Sequence, residues 1–173
     1  KSAGAAVTTA TWATLFGSGA GAVITTGVQN TFIGGGSGDA TTTGAYNTGV
    51  GYASLGSNIT GIANTALGYN AAAANTTDGI TAVGKDALEL NTSGASNVAV
   101  GYAALDANTT ASYNSAFGYS SLGANTTGDR GVALGYAALA LNTTGTENVG
   151  IGYLALDANT TGAANTAIGS GAL

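Results

Sequence analysis

The sequence predicts an all-β fold, a parallel β-solenoid built from about ten coils of 17 residues. Three observations predict it: a marker glycine recurs at nearly constant spacing, the same residue types recur at fixed positions between the markers, and proline is absent. Proline is excluded from paired ladders because every interior N–H is needed there. We expect one repeat domain at residues 13–173, preceded by an irregular N-terminal end at residues 1–12.

The marker glycine follows a large apolar residue and usually precedes tyrosine. Successive markers are 17 residues apart, except for one interval of 16 residues that ends at Gly84. A unit of this length is too short for the common two-helix repeats, which need about 33 residues. The markers are Gly17, Gly34, Gly51, Gly68, Gly84, Gly101, Gly118, Gly135, Gly152 and Gly169.

The consensus unit reads N-T-A-V-G-Y-A-A-L-x-A-N-T-T-G-x-x, and its residues are numbered here as positions 1 to 17. Its β-branched residues fall in two short runs separated by Gly or Asn, which predicts two short strands and two turns per coil. One such coil cannot bury its apolar side alone. Stacked coils about 4.8 Å apart pair their backbones and bury it, giving a rod on the order of 50 Å long.

Four positions define columns along the predicted rod. Position 4 is always large and apolar and position 9 is mostly Leu, so we expect both columns in the core. Position 6 is mostly Tyr and predicts an aromatic ladder. Position 12 predicts a ladder of side-chain amides; its members are Asn58, Asn75, Asn91, Asn108, Asn125, Asn142 and Asn159.

The first strand indicates self-association. Side chains alternate along a strand, so positions 2, 4 and 6 face one way and positions 3 and 5 the other. Neither face is strongly polar, and a strand with two apolar faces is expected to be covered on both. A coil of 17 residues has one interior, so the second face is expected to pack on another chain, most simply in a homotrimer around the fibre axis.

The composition argues against several classes of function. The basic residues are Lys1, Lys85 and Arg130 against eight acids, which disfavours nucleic-acid binding. No run of about 18 apolar residues occurs, so we expect no membrane insertion. The chain has neither His nor Cys, and Asp106 and Asp157 share position 10 three coils apart, so we predict no enzyme, no catalytic residues, no cofactor and no metal site. The string GGGSGD at residues 34–39 is weakly similar to the loops of calcium-binding solenoids, but it occurs only once.

The strings NTALG (residues 64–68), NVAVG (97–101), NSAFG (114–118), NVGIG (148–152) and NTAIG (165–169) resemble the head repeats of trimeric autotransporter adhesins. The longer unit also resembles repeats of phage tail-fibre proteins and bacterial surface proteins. This resemblance implies a trimeric, left-handed parallel β-roll used for attachment. The repeat is longer than that of the adhesin heads. We therefore expect an extracellular structural and adhesive fibre segment, a phage tail fibre or a bacterial surface adhesin, which binds a cell-surface receptor or glycan through variable positions 10, 16 and 17.

Four columns have alternative interpretations. Thr at positions 13 and 14 could form an ice-binding array, although alternation along a strand would turn one of the two columns outward and the other inward. The Asn residues of position 12 lie in N-x-[ST] sequons and could be glycosylated instead of forming a turn ladder. The Tyr column could be a stacking platform for sugars instead of interface core.

Overall fold

The computed structural model describes residues 2–173 and forms a parallel β-solenoid of about nine turns, without a helix in that range. Coil 1 spans residues 13–29, and coils 2 to 10 begin at residues 30, 47, 64, 80, 97, 114, 131, 148 and 165. Each coil contributes one strand of three residues, at positions 2 to 4. The strands are β1 (Thr14–Phe16), β2 (Thr31–Ile33), β3 (Thr48–Val50), β4 (Thr65–Leu67), β5 (Thr81–Val83), β6 (Val98–Val100), β7 (Ser115–Phe117), β8 (Val132–Leu134), β9 (Val149–Ile151) and β10 (Thr166–Ile168).

The ten strands form a single parallel sheet in chain order, β1 to β10. Equivalent residues of successive coils pair in register: Val100 opposes Phe117, and Phe117 opposes Leu134. The vertical alignment of columns that the repeat predicts is therefore confirmed along the described chain.

The prediction of a second strand in each coil is wrong. At positions 13 and 14, Thr126 and Thr127 both donate their N–H groups to the carbonyl of Thr143, at 2.9 and 3.3 Å. Two successive N–H groups that share one acceptor cannot continue a strand, because strand N–H groups alternate in direction. Positions 7 and 9 lie in the left-handed region, as at Leu105 with φ 51°, so the chain turns repeatedly between the sheet and this segment.

The marker glycine is required by backbone crowding between coils. Gly118 has φ +134°, and a Cβ there would lie 2.3 Å from the carbonyl oxygen of Gly135 in the next coil. The position is therefore closed to other residues for two reasons, strain at this φ and collision with backbone. This explains why the marker is the least variable feature of the repeat.

The interior of a regular coil has an apolar end made by positions 3, 8 and 9. In coil 6 these are Ala99, Ala104 and Leu105, all fully buried. The prediction that position 9 is core is confirmed. The prediction for position 4 is wrong, because the strand places Ala at position 3 inward and the large side chain of position 4 outward, so Phe117 is 40% exposed and Leu134 is 49% exposed. A coil this thin leaves room inside the sheet only for a small residue.

The other end of the interior is polar and is filled by two columns of Asn. In coil 6, Asn97 at position 1 and Asn108 at position 12 both donate to the carbonyl oxygen of Ala111, at 2.7 and 3.0 Å. Asn108 also donates to Asn91 Oδ1 in the coil before, at 2.7 Å. The side chains thus satisfy each other and the backbone at once, as buried amides require.

The amide ladder predicted at position 12 is confirmed. It runs through Asn75, Asn91, Asn108, Asn125, Asn142 and Asn159, with donor–acceptor distances of 2.7 to 3.2 Å. The first five of these side chains are buried. Their amide nitrogens point into the rod, which supports the turn-ladder interpretation of the sequons over glycosylation.

The missing residue of the 16-residue interval lies in coil 4, at position 14. The carbonyl of Thr77 accepts from Asn64 and Asn75, at 2.7 and 3.0 Å, as the carbonyl of position 15 does in other coils. Thr77 therefore takes the position of the turn glycine, and its assignment to position 14 from the sequence is wrong. Asn58 Oδ1, in coil 3, is buried without a hydrogen-bond partner. The amide ladder therefore begins at Asn75 in coil 4.

Backbone bonds in coil register also occur before coil 1. Gly4, Ala6 and Thr9 donate to the carbonyl oxygens of Ala20, Ala22 and Thr25, at 2.9, 3.1 and 3.0 Å. The described part of the N-terminal end, residues 2–12, contains no strand. It nevertheless adds its backbone to the edge of coil 1, and Trp12 stands in this segment at the equivalent of position 17.

Candidate functional site

The outward face of the sheet is a regular surface that runs through all ten coils. Positions 2 and 4 of each strand point away from the interior, and the Tyr column of position 6 borders them. Large apolar side chains are exposed along this face from one end to the other: Phe16, Ile33, Leu67, Phe117, Val132, Leu134 and Ile168. An apolar surface that extends along a whole chain is unusual in a soluble monomer and marks a contact surface.

The Tyr residues of position 6 form the predicted aromatic ladder. Tyr102, Tyr119, Tyr136 and Tyr153 stack with ring centroids 5.1 to 5.4 Å apart and interplanar angles of 9° to 16°, and Tyr52 stacks on Tyr69 in the same way. Each ring face is covered by the next ring, which leaves the ring edges at the surface. A sugar needs an open face to stack on an aromatic ring, so the column fits interface core better than a sugar platform.

Lys85 occupies position 6 between the two groups of stacked rings. Its Nζ lies 5.5 Å from the ring centroid of Tyr69 and 5.1 Å from that of Tyr102. The hydrogen bond to Asp86, reinforced by the negative charge of that carboxylate, raises the pKa of Lys85. The side chain therefore replaces a missing ring with a cation–π contact on both sides.

A small group of acids lies beside Lys85 on coils 5 and 6. Burial raises the pKa of Asp106, and the charges of Glu89 and Asp86 act in the same direction. Glu89 accepts a hydrogen bond from Asn70 Nδ2 at 3.1 Å. No group of three or more potential metal ligands occurs among residues 2–173. Asp106 and Asp157 remain three coils apart, as their positions in the repeat require.

The GGGSGD string has a packing role in coil 2. Gly38 stands at position 9, and a Cβ there would lie 2.5 Å from the ring of Phe32. Ser37 is buried and bonds the carbonyl of Gly49 and the hydroxyl of Ser54, at 3.0 and 2.9 Å. The glycines thus make room for an interior phenylalanine.

Both Thr columns reach the surface, so the expectation that one of them turns inward is wrong. Position 14 is exposed at Thr127 and Thr144, while position 13 is half-buried at Thr126 and Thr143. The hydroxyl of Thr126 donates to the carbonyl of Thr143 at 3.1 Å, and that of Thr143 to Thr160 at 3.0 Å. Position 13 therefore stabilises the stack, and position 14 forms a single row of free hydroxyls.

The corner that precedes each strand carries a second aromatic feature. Trp12, Tyr46 and Tyr113 all stand at position 17 and are 81%, 58% and 63% exposed. Every Trp and Tyr of the chain that is absent from position 6 is found here. The sequence already contained this signal, since position 17 was predicted to contact a receptor, but its aromatic residues were not predicted to form a row.

None of the described residues forms a helix long and apolar enough to cross a bilayer. Comparison with protein-family models, with characterised proteins and with solved structures finds no match.

Proposed function

We propose that the chain is a segment of a structural, adhesive fibre that attaches to a host cell or another surface, as a phage tail fibre or a bacterial surface adhesin does. One observation carries this proposal: the outward sheet face presents a large apolar side chain at position 4 in all ten coils, beside Thr, Ser or Val at position 2, and nothing covers this row within the described chain. The fibre is extracellular, and its copies associate through this face as a homotrimer.

A second copy of the chain fits the outward sheet face in size and in period. Ten coils about 4.8 Å apart and five residues of about 3.3 Å each give a footprint on the order of 800 Å². Stable protein interfaces bury about 800 Å² on each partner. A copy has the same coil spacing, so its columns can interlock with these columns along the whole rod, and a closed ring of three leaves no copy with an open face.

Such a trimer explains adhesion by multivalency. A stiff rod presents three equivalent surfaces at a distance from its anchor, and weak contacts to a receptor add up when they are held together. The variable corner positions 10, 16 and 17 stand outside the columns that form the sheet face, so they are available to the receptor.

Light scattering coupled to gel filtration tests the assembly. We expect a stable trimer at micromolar concentration, and a monomer would contradict the proposal. Phe117→Lys with Leu134→Lys places two charges on the outward sheet face and is expected to give monomers. Thr127→Lys with Thr144→Lys adds the same charges on the same two coils at position 14 and is expected to leave the trimer intact.

Ice binding is the second candidate function, favoured by the exposure of both Thr columns. Against it, the hydroxyls of position 13 donate within the solenoid, and the row of position 14 loses a member in coil 4. A thermal-hysteresis measurement separates the two functions. An ice-binding solenoid would show hysteresis that Thr127→Tyr with Thr144→Tyr abolishes, whereas an adhesive fibre shows none.

A further inference from the structure

The three aromatic side chains of position 17 form a row along one edge of the rod. Tyr46 and Tyr113 donate their N–H groups to the carbonyl oxygens of Val28 and Ala95 in the coils before, at 3.0 and 3.1 Å. Gln29 makes the same bond to Thr11 at 3.0 Å. These equivalent bonds place the corner residues of successive coils above one another, so the three aromatic residues start from one line along the stacking direction.

The rings of this row are open, unlike those of position 6. Among the described residues, no aromatic or cationic side chain stacks on Trp12, Tyr46 or Tyr113, and all three are more than half exposed. Their ring faces are therefore free to bind a ligand with a flat apolar surface.

Folding alone does not account for aromatic residues at this corner. Trp12, Tyr46 and Tyr113 have φ values of 58°, 59° and 64°, a conformation that is costly for large side chains. Leu105 adopts a similar φ at position 9, but its burial offsets the cost. Burial offsets much less at these exposed corners, and Gly79 shows that glycine satisfies the same position in coil 4. The same φ recurs at this corner in the other coils, as at Arg130 with φ 57°, so the fold sets the backbone conformation, and neither burial nor φ explains why three of these corners carry an aromatic residue.

The spacing of the rings selects a class of ligand. Trp12 and Tyr46 are two coils apart, and Tyr113 lies four coils further, which corresponds to about 10 Å and about 19 Å. Both intervals are multiples of two coils. In an extended β-1,4-linked glycan every second sugar presents the same face, and its disaccharide repeat is close to the length of two coils.

We propose that Trp12, Tyr46 and Tyr113 form a binding line for an extended β-1,4-linked polysaccharide that lies along the rod. The rings stack on the apolar faces of alternate sugars, and polar side chains between them, such as Gln29, bond the sugar hydroxyls. This inference deepens the proposed attachment function by naming the ligand class of that surface, and it rests on that function.

Binding to particles of microcrystalline cellulose and of chitin tests the proposal, with granular starch as the α-linked control. The unaltered chain is expected to bind cellulose or chitin and not starch. The triple variant Trp12→Ala, Tyr46→Ala, Tyr113→Ala is expected to lose at least tenfold in affinity, while Arg130→Ala at the same corner keeps it. Trp12 is the chain's one tryptophan, so its fluorescence is also expected to change when soluble cellohexaose or chitohexaose binds.

An exchange variant tests the spacing itself. Trp12→Gln with Gln29→Trp keeps the composition and moves one ring by a single coil, so its affinity is expected to fall several-fold. Failure of the unaltered chain to bind either β-1,4 glycan, or full binding by the exchange variant, would overturn the proposal.

Light scattering of the same proteins separates this inference from the proposed function. A triple variant that loses the trimer as well as binding assigns the row to the chain interface and overturns the glycan line. If the unaltered chain is a trimer that binds no glycan, the glycan proposal is overturned and the fibre proposal is retained. If the unaltered chain is a monomer, the fibre proposal is overturned.

Discussion

In coils 1 and 2 the large interior residue lies on the strand at position 3, whereas in coil 3 and coils 5–9 it lies at position 9. In coil 2 the large side chain is Phe32 at position 3, and position 9 is Gly38, whose Cβ would collide with the ring. In coil 6 the small residue is Ala99 at position 3 and the large one is Leu105 at position 9. These coils therefore keep one large interior residue and change its position, as close packing favours, whereas coil 4 has Ala at both positions.

The largest change in unfolding free energy is expected when the large residue Phe32 or the small residue Gly38 of coil 2 is replaced alone. Phe32→Ala leaves a cavity and should reduce the free energy of unfolding by about 3–5 kcal/mol, and Gly38→Leu overfills the same space and should cost about 1–3 kcal/mol or more. The double variant restores the arrangement of coils 5–8, with Ala at position 3 and Leu at position 9, and should recover most of the loss. Urea unfolding of the four proteins measures the coupling.

Additive effects of Phe32→Ala and Gly38→Leu would show that the two sites do not share one volume. The matched control is Leu105→Ala in coil 6. It removes the large residue of a regular coil and should cost about 2–5 kcal/mol, without any rescue by Gly38→Leu.

The second difference between the two regions is the Asn ladder, which coils 1 and 2 lack. They carry the buried residues Ile24 and Thr41 at position 12. In coil 6, Asn108→Leu would leave Asn91 Oδ1 buried without a donor, and we expect a loss of about 1–3 kcal/mol in unfolding free energy. Asn159→Leu at the last rung, where water can replace the lost bonds, should cost much less in the same urea titration. Equal losses at the two sites would contradict the role assigned to the ladder.

A new amide rung between coils 2 and 3 is expected to stabilise the chain. Thr41 Oγ1 is buried and has no hydrogen-bond partner, while Asn58 in the next coil carries an amide that other rungs use to donate to the coil before. Thr41→Asn supplies the missing acceptor and should raise the unfolding free energy by about 0.5–1.5 kcal/mol, which is a few degrees in Tm. A calorimetric scan measures this, with Thr43→Asn at exposed position 14 as the control that should change nothing.

The repeat predicted the parts of the fold that depend on column identity. The pairing of Val100, Phe117 and Leu134, the burial of Leu105 and the amide ladder follow from identical residues stacked in register. The repeat did not predict which face of the strand points inward, because neither face is strongly polar. Ala99 points inward because, beside Leu105, the coil is too narrow for a large residue there. The exchange of residue sizes between positions 3 and 9, at Phe32 and Gly38, could not be predicted either. Each column taken alone shows only a departure from the consensus residue, and the conserved volume becomes apparent only when the two positions are known to be in contact.

The candidate surfaces could be predicted only in part for a similar reason. The sequence indicated a second apolar face and an aromatic ladder, and the structure has both. It did not indicate that Lys85 fills the gap between the stacked rings, because a single charged residue in a Tyr column reads as an interruption. The sequence predicted receptor contacts at position 17, but the row at Trp12, Tyr46 and Tyr113 was overlooked because the position carries eight residue types in its ten occurrences.

The smallest expected effect concerns the cluster of charges on coils 5 and 6, whereas coils 1 and 2 carry a single charged residue, Asp39. Burial, with the charges of Glu89 and Asp86, raises the pKa of Asp106 in the folded chain above its unfolded value. The folded state therefore holds the proton more tightly, so this group's contribution to stability falls as pH rises from the unfolded pKa through the folded one. Asp106→Asn removes the ionisation and should raise Tm at pH 7 by at most about 2 °C, since partly exposed charges contribute less than about 1 kcal/mol. The gain should vanish below the unfolded pKa of the carboxyl, and a gain that persists unchanged in acid would show that the substitution acts through packing and not through the charge.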